Sequence, residues 1–349
     1  AERNILNYAL FVSFFPVILS GPIERSGNLL RQIRELPEKA LWNYGRVAGG
    51  LTLLLFGLFQ KMVIADRIAI LANQVFDNYH MYGTFGLTVG AIAYTIQIYC
   101  DFASYSMMAF GVAKVLDFGI IENFQTPYFS RSMREFWRRW HISLSSWFRD
   151  YLYIPLGGSR CGKWRRYFNL MVTFLASGLW HGASWSFVAW GGLHGLYQII
   201  GYELRDVKDR INEQLHTKTD CLSYKLGQVL VTFGLTAFAW IFFRANSLGD
   251  AFGYIRRMFT RPDLWCLFNG ELYNLGLDRV EMNVLFGSLL VLLLADLVRY
   301  FKKQQLDAFL AEQNLWFRWG VLLALIAAVA IFGIYGPGYD AQQFIYFQF

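Results

Sequence analysis

Two histidines are the residues of this sequence best suited to chemistry. His181 stands in FLASGLWHGASWSFVAWGGLHG, inside a run of 36 residues from Tyr167 to Tyr202 that holds no Lys, Arg, Asp or Glu. His141 stands forty residues earlier in FWRRWHISLSSWFRDYLYIPLGG, crowded by arginines and tryptophans. An imidazole titrates near neutral pH, so it can take a proton from a hydroxyl and return it. The sequence has no GxSxG, HExxH, Walker A or GxGxxG motif, which leaves serine hydrolase, zinc protease, P-loop and Rossmann chemistry without support. Cys100, Cys161, Cys221 and Cys266 form no close pair, so neither a disulfide framework nor a metal site is expected. A histidine alone suffices to deprotonate a hydroxyl when the electrophile is already activated, as a thioester is. Acyl transfer is therefore the expected chemistry.

The surroundings of His181 constrain where that chemistry would occur. A straight helix through the charge-free run would be ~54 Å long at ~1.5 Å per residue, against a hydrocarbon core of ~30 Å. The run must turn or break, and two short helices meeting around Ser177–Ser184 are expected. Broken backbone at membrane depth persists only where protein or a water-filled cavity satisfies its polar groups. His181 would line such a cavity, although a histidine that simply hydrogen-bonds a neighbouring helix fits the same pattern. His194, also followed by Gly, is assigned to packing. His80 and His216 lie among polar loop residues and carry no role.

Around His141, Trp137, Trp140, Leu144, Trp147, Phe148 and Tyr151 recur at helical spacing, with Arg134, Arg138, Ser145 and Arg149 on the other side. One amphipathic basic helix is expected, either lying in the headgroup layer or lining the path of a phosphate-bearing substrate. Residues 131–166 hold nine basic and two acidic residues, a net +7 that equals the formal charge of the whole chain. The positive-inside rule puts this segment on the cytoplasmic side, next to anionic lipid.

Hydrophobic residues make up 55% of the 349, aromatics 18% and charged residues only 16%, with a positive mean hydropathy. This composition belongs to an all-α integral membrane protein, a multi-helix bundle with broken or re-entrant helices around a channel. Besides the charge-free run, apolar stretches near 8–23, 47–65, 85–113, 226–243, 282–295 and 319–339 give about eight spans or part-spans. With no repeat, low-complexity tract or linker, residues 1–349 read as one membrane domain. The opening AERNILNYAL lacks an initiator Met and a signal peptide, so the start of the natural protein is expected to be missing.

Five segments carry a resemblance: SGPIER (20–25), DFASYSMMAFGVAKVLDF (101–118), ENFQTPYFSRSMREFWRRWHISLSSWFRDYLYIPLGGSR (122–160), SGLWHGASWSFVAWGGLHG (177–195) and FIYFQF (344–349). In these the chain resembles the membrane-bound O-acyltransferases, and among them the bacterial branch that O-acetylates alginate. The family's near-universal histidine falls on His181 and the branch's second active-site histidine on His141. The resemblance implies a multi-pass protein of the cell membrane, with N-terminal transmembrane helices before the position of Ala1 that this chain lacks, an acyl donor entering from the cytoplasm and a hydroxyl acceptor from outside. It implies acetyl-CoA as donor substrate, no tightly bound cofactor, no nucleic acid, and a secreted or periplasmic SGNH-type acetyltransferase as partner. In that frame His181 is the general base, His141 positions the thioester or shares the proton, and Arg138, Arg139 and Arg149 with Trp137 and Trp140 bind the donor. Two rival readings are a transporter or flippase for an anionic substrate, in which His181 relays protons, and a scaffold for a secreted enzyme.

Overall fold

The structure is a computed structural model and describes residues 2–18, 21–40 and 42–336. The terminal FIYFQF motif lies outside the described residues. Among those described, regular structure is entirely helical, in the order α1 (Ile5–Ser13), α2 (Ser26–Arg34), α3 (Tyr44–Leu58), α4 (Asp66–Asp77), α5 (Thr84–Val115), α6 (Met133–Arg139), α7 (Ile142–Phe148), α8 (Lys163–His181), α9 (Trp185–Gln214), α10 (Leu222–Arg244), α11 (Leu248–Thr260), α12 (Arg279–Lys302), α13 (Leu306–Ala311) and α14 (Leu315–Phe332). The chain folds as an all-α membrane protein. Among the described residues, four helical stretches are long and apolar enough to cross a bilayer: Tyr44–Asp77, Leu222–Arg244, Arg279–Lys302 and Leu315–Phe332. The apolar stretch at 8–23 does not form one continuous helix over its described residues. It divides into the short α1 and a single turn at Phe15–Val17 that contains Pro16, because proline removes a backbone donor and stops the helix.

Helix α5 is the hub. Its buried residues include Thr95, Gln97, Asp101, Ser104 and Ser106, polar groups tolerated because surrounding helices shield them from lipid. Close packing on α3 depends on small residues. A Cβ on Gly50 would stand 2.5 Å from the Gly111 carbonyl oxygen, and one on Gly111 would stand 2.6 Å from that of Gly50. A buried ion cluster adds a polar tie: Lys61 Nζ lies 2.7 Å from Asp66 and 2.6 Å from Asp101, since buried charges persist only when paired.

Between α3 and α4 the backbone widens into a π-helical turn, Phe59–Ala65. Such a turn releases carbonyls from the regular ladder, and the end of the described chain satisfies them. Ile334 N–H donates to the Met62 carbonyl at 2.9 Å. The Arg67 guanidinium donates to the carbonyls of Val63 (2.8 Å) and Phe332 (2.9 Å).

Helices α8 and α9 form an antiparallel hairpin. At the closed end, Cβ atoms on Gly178 and Gly191 would lie 2.3 Å from the carbonyl oxygens of Phe187 and Phe174, so only glycine permits this approach. At the open end Lys163 pairs with Glu203 at 2.5 Å and Arg166 lies 3.8 Å over the Tyr202 ring. The turn falls at 182–184, within the expected interval, and Ser184 caps α9 by accepting from Ser186 N–H.

Candidate active site

The expected single amphipathic helix is instead two short helices. Helix α6 ends at Arg139, and α7 begins after His141, whose backbone is left-handed (φ 43°, ψ 55°). A residue with a Cβ holds that conformation at a cost of ~1–3 kcal/mol, and only where its surroundings enforce it. The enforcing element is the segment 122–126. Gln125 N–H donates to the Arg139 carbonyl and Ile142 N–H to the Asn123 carbonyl, both at 3.0 Å. The Asn123 side-chain oxygen accepts from Ser143 N–H (3.1 Å) and Ser143 Oγ–H (2.7 Å). His141 Nδ1 lies 3.3 Å from the same oxygen.

This segment is itself anchored from two directions. On α12, the Arg299 guanidinium donates to Glu122 (2.7 Å) and the Phe124 carbonyl (2.9 Å) and pairs with Asp296 (3.3 Å). Gln32 on α2 exchanges two hydrogen bonds with Gly119, at 2.7 and 2.8 Å. The SGPIER motif also acts here: Glu24 accepts from Ile121 N–H, and Arg25 reaches Asp150 at 2.9 Å beyond α7. It therefore ties down both flanks of His141.

His181 is the last residue of α8 and sits at the hairpin tip. Its ring is enclosed by Trp180, Trp190 and Phe243, with centroids 4.9, 5.2 and 5.1 Å away. His141 packs edge-on to Phe102 of α5 at 4.6 Å. Trp180 borders both sites, its centroid 6.4 Å from that of His141 and 4.9 Å from that of His181. Both are buried, at 3% and 8% exposure, whereas Trp180 is 49% exposed. Two imidazoles from distant parts of the sequence thus share an aromatic site whose outer wall is Trp180. An imidazole buried in that way can take up and release a proton with little competition from bulk water.

The residues expected to bind a donor are not gathered together. Arg138 and Arg149 are exposed, and Arg149 pairs with Asp150 at 2.8 Å. Arg139 is committed to the fold, bonded to Glu135 (2.7 Å) and Thr126 (3.1 Å) and lying 5.1 Å over the Tyr300 ring. Trp140, expected at the surface, is buried against Phe136 and Trp240. Trp137 faces inward and donates to His194 Nδ1 at 3.2 Å. The break at His141 is the physical reason, since α6 turns both tryptophans into the core. Only Trp147, 39% exposed, stands at the surface as expected.

Reasoning from sequence missed Asn123, Ser143 and Arg299. Asn123 lies inside the ENFQTPYFS motif, but an Asn in a polar connection reads as a turn residue, and 18 residues separate it from His141. A buried Arg within an apolar helix was the available signal for Arg299.

With this geometry in place, residues 2–245 match the MBOAT, membrane-bound O-acyltransferase, family. The chain is an MBOAT protein. It is 35% identical over 308 residues to the "Probable alginate O-acetylase AlgI" of Pseudomonas syringae pv. tomato, covering 88% of this chain and 56% of that protein. It is 38% identical over 256 residues to the "Peptidoglycan O-acetyltransferase" of Helicobacter pylori, covering 73% of this chain and 47% of the relative. The "Teichoic acid D-alanyltransferase" of Streptococcus thermophilus is 31% identical over 224 residues, covering 61% of this MBOAT chain and 54% of the relative. The chain spans about half the length of these curated relatives.

Proposed function

We propose that this chain carries the acyl-transfer centre of an O-acyltransferase. It moves an acetyl group from a cytoplasmic thioester, acetyl-CoA, to a hydroxyl acceptor, for O-acetylation of a cell-envelope or extracellular polysaccharide. The observation that carries the reading is the convergence of His141 and His181 on one buried, aromatic-lined site beside Trp180. The names of the bacterial relatives, two of them O-acetyl transfer proteins, support acetyl as the group moved.

In the proposed step, His181 takes the proton of the acceptor hydroxyl as its oxygen attacks the thioester carbonyl. The tetrahedral intermediate collapses, the C–S bond breaks, and the departing thiolate receives the proton from the imidazolium. His141, in reach of the same charge, shares that proton. The exposed basic residues of 131–166 face the cytoplasm and attract the donor's phosphates, with anionic lipid alongside. The product ester passes to its polysaccharide directly or through an SGNH-type extracytoplasmic transferase.

Labelled acetyl-CoA and purified protein in proteoliposomes test the reading. His181→Gln preserves volume and hydrogen bonding but not basicity, so transfer falls by ~10²- to 10⁴-fold with an unchanged size-exclusion profile. His141→Gln costs less. A His181→Gln protein with more than about a tenth of wild-type transfer refutes the proton role and favours a transporter or scaffold. Sidedness is tested separately by a cysteine at Ser159, which should react with an impermeant maleimide only from the cytoplasmic face. Labelling from outside reverses the orientation.

A further inference from the structure

The geometry points to Asn123 as the positioning residue that fixes the tautomer of His141, holding the proton on Nδ1 and presenting the Nε2 lone pair to the reaction. The assignment rests on the reading of the two histidines as an acyl-transfer centre, and it specifies which nitrogen of His141 handles the shared proton.

The Asn123 atom that faces His141 is the side-chain oxygen. An amide side chain can be turned so that oxygen and nitrogen exchange places, but here a backbone group decides. Ser143 N–H can only donate, and it meets the Asn123 atom at 3.1 Å. That atom must therefore be the oxygen, since a turned amide would oppose two N–H groups. The second amide atom, Nδ2, is then left to donate to Ser106 Oγ on α5, at 3.3 Å.

With the oxygen fixed, His141 Nδ1 at 3.3 Å faces an acceptor. Two lone-pair nitrogen and oxygen atoms repel at that distance, so Nδ1 carries hydrogen. A neutral imidazole with hydrogen on Nδ1 has its lone pair on Nε2. The backbone of Asn123 reinforces the side chain, because its carbonyl accepts Ile142 N–H at 3.0 Å and so helps hold His141 in the left-handed conformation that directs its ring. Asn123 is 1% exposed, so water does not compete for its oxygen.

The electrostatic surroundings make the proposal readable by pH. On α8 the titratable His181 directly follows Trp180, whose ring lies 6.4 Å from that of His141. Behind Asn123 stand Glu122 and Arg299, paired with each other at 2.7 Å. The remaining contacts of the His141 ring named on α5 and in the 122–126 segment are the apolar rings of Phe102 and Phe124. An uncharged amide at 123 fixes the proton's place without adding charge. A carboxylate there would still accept from Ser143 and His141 while stabilising the imidazolium.

The test compares Asn123→Asp and Asn123→Leu in the full chain, in proteoliposomes with labelled acetyl-CoA, measuring kcat across pH. Asn123→Asp should elute as wild type and move the acid limb of the profile upward by about one unit or more, because an adjacent negative charge raises the basicity of His141. Asn123→Leu should lose at least tenfold in kcat at every pH. An Asn123→Asp profile with the wild-type acid limb overturns the assignment, as does an Asn123→Leu protein with wild-type kcat. His141→Gln and His181→Gln run in parallel separate the two levels. If they abolish transfer while Asn123→Asp leaves the profile in place, only the role of Asn123 is refuted. If they retain transfer, the acyl-transfer reading fails first.

Discussion

The indole N–H of Trp137 donates to Nδ1 of His194 at 3.2 Å. An indole nitrogen has no lone pair to offer, so Nδ1 of His194 is the acceptor and its hydrogen resides on Nε2. His194 is therefore locked in the tautomer opposite to that assigned to His141. It is fully buried and packs against Trp190 and Phe136, with centroids 5.0 and 6.2 Å away.

His194→Gln should accordingly act on stability and leave chemistry alone. Gln keeps an acceptor for Trp137 but loses the ring contacts, a change expected to cost ~1–2 kcal/mol. Thermal unfolding in detergent should show the loss, while transfer per folded molecule stays within about threefold of wild type. A fall in transfer as large as that of His181→Gln would bring His194 into the reaction.

The adjacent arginines of WRRWH should separate into two roles. Arg138 is exposed and has no ion pair among the described residues, so Arg138→Gln should raise KM for acetyl-CoA. The gap from wild type should narrow as salt increases, because screening removes the attraction that the variant already lacks. Arg139→Gln should instead lower the melting temperature, since it breaks the bonds to Glu135 and Thr126. Equal KM effects from the two substitutions would contradict this division.

The hairpin that carries His181 offers a paired glycine test. A Cβ on Gly191 meets a backbone oxygen at 2.3 Å, whereas one on Gly192 meets only Leu175 Cδ2 at 3.6 Å. Gly191→Ala must push α8 and α9 apart, at a cost of ~1–3 kcal/mol, and displaces the histidine at the tip. Misplacement on the order of 1 Å lowers rates by up to ~10²-fold. Gly192→Ala should match wild type in both unfolding and transfer. If the two variants behave alike, the close approach does not set the position of His181.

Much of the site was legible because its signals are local. The charge-free run was too long for one crossing, and the break duly falls beside His181. The break at His141 was not legible, for no Gly or Asn marks a left-handed residue there, and the aromatic periodicity continues through it. What bends the chain is Asn123, through contacts across 18 to 20 residues that no helical period encodes. The same long-range pinning explains why Trp140 was expected at the surface and lies in the core. The break in the apolar stretch near 8–23 has a local reason that was present in the sequence, Pro16.

The π-helical turn at Phe59–Ala65 makes the helical stretch from Tyr44 to Asp77 sensitive to chain length in a way that composition alone does not reveal. Each residue advances a regular helix by about 100°, whereas the wider turn takes up its extra residue and leaves the same side of α4 against α5. Upstream the core receives Leu53 and Phe56, and downstream Ile68, Leu71 and Val75. Removing one residue from the regular winding just before the turn would rotate everything after it by about 100°, carrying the buried Leu71 to the exposed position that Ile70 holds. Substitutions can accumulate along this stretch, but a single-residue deletion outside the turn shifts its frame, and one inside the turn keeps the frame while closing the ladder over the carbonyls that bind Ile334 and Arg67.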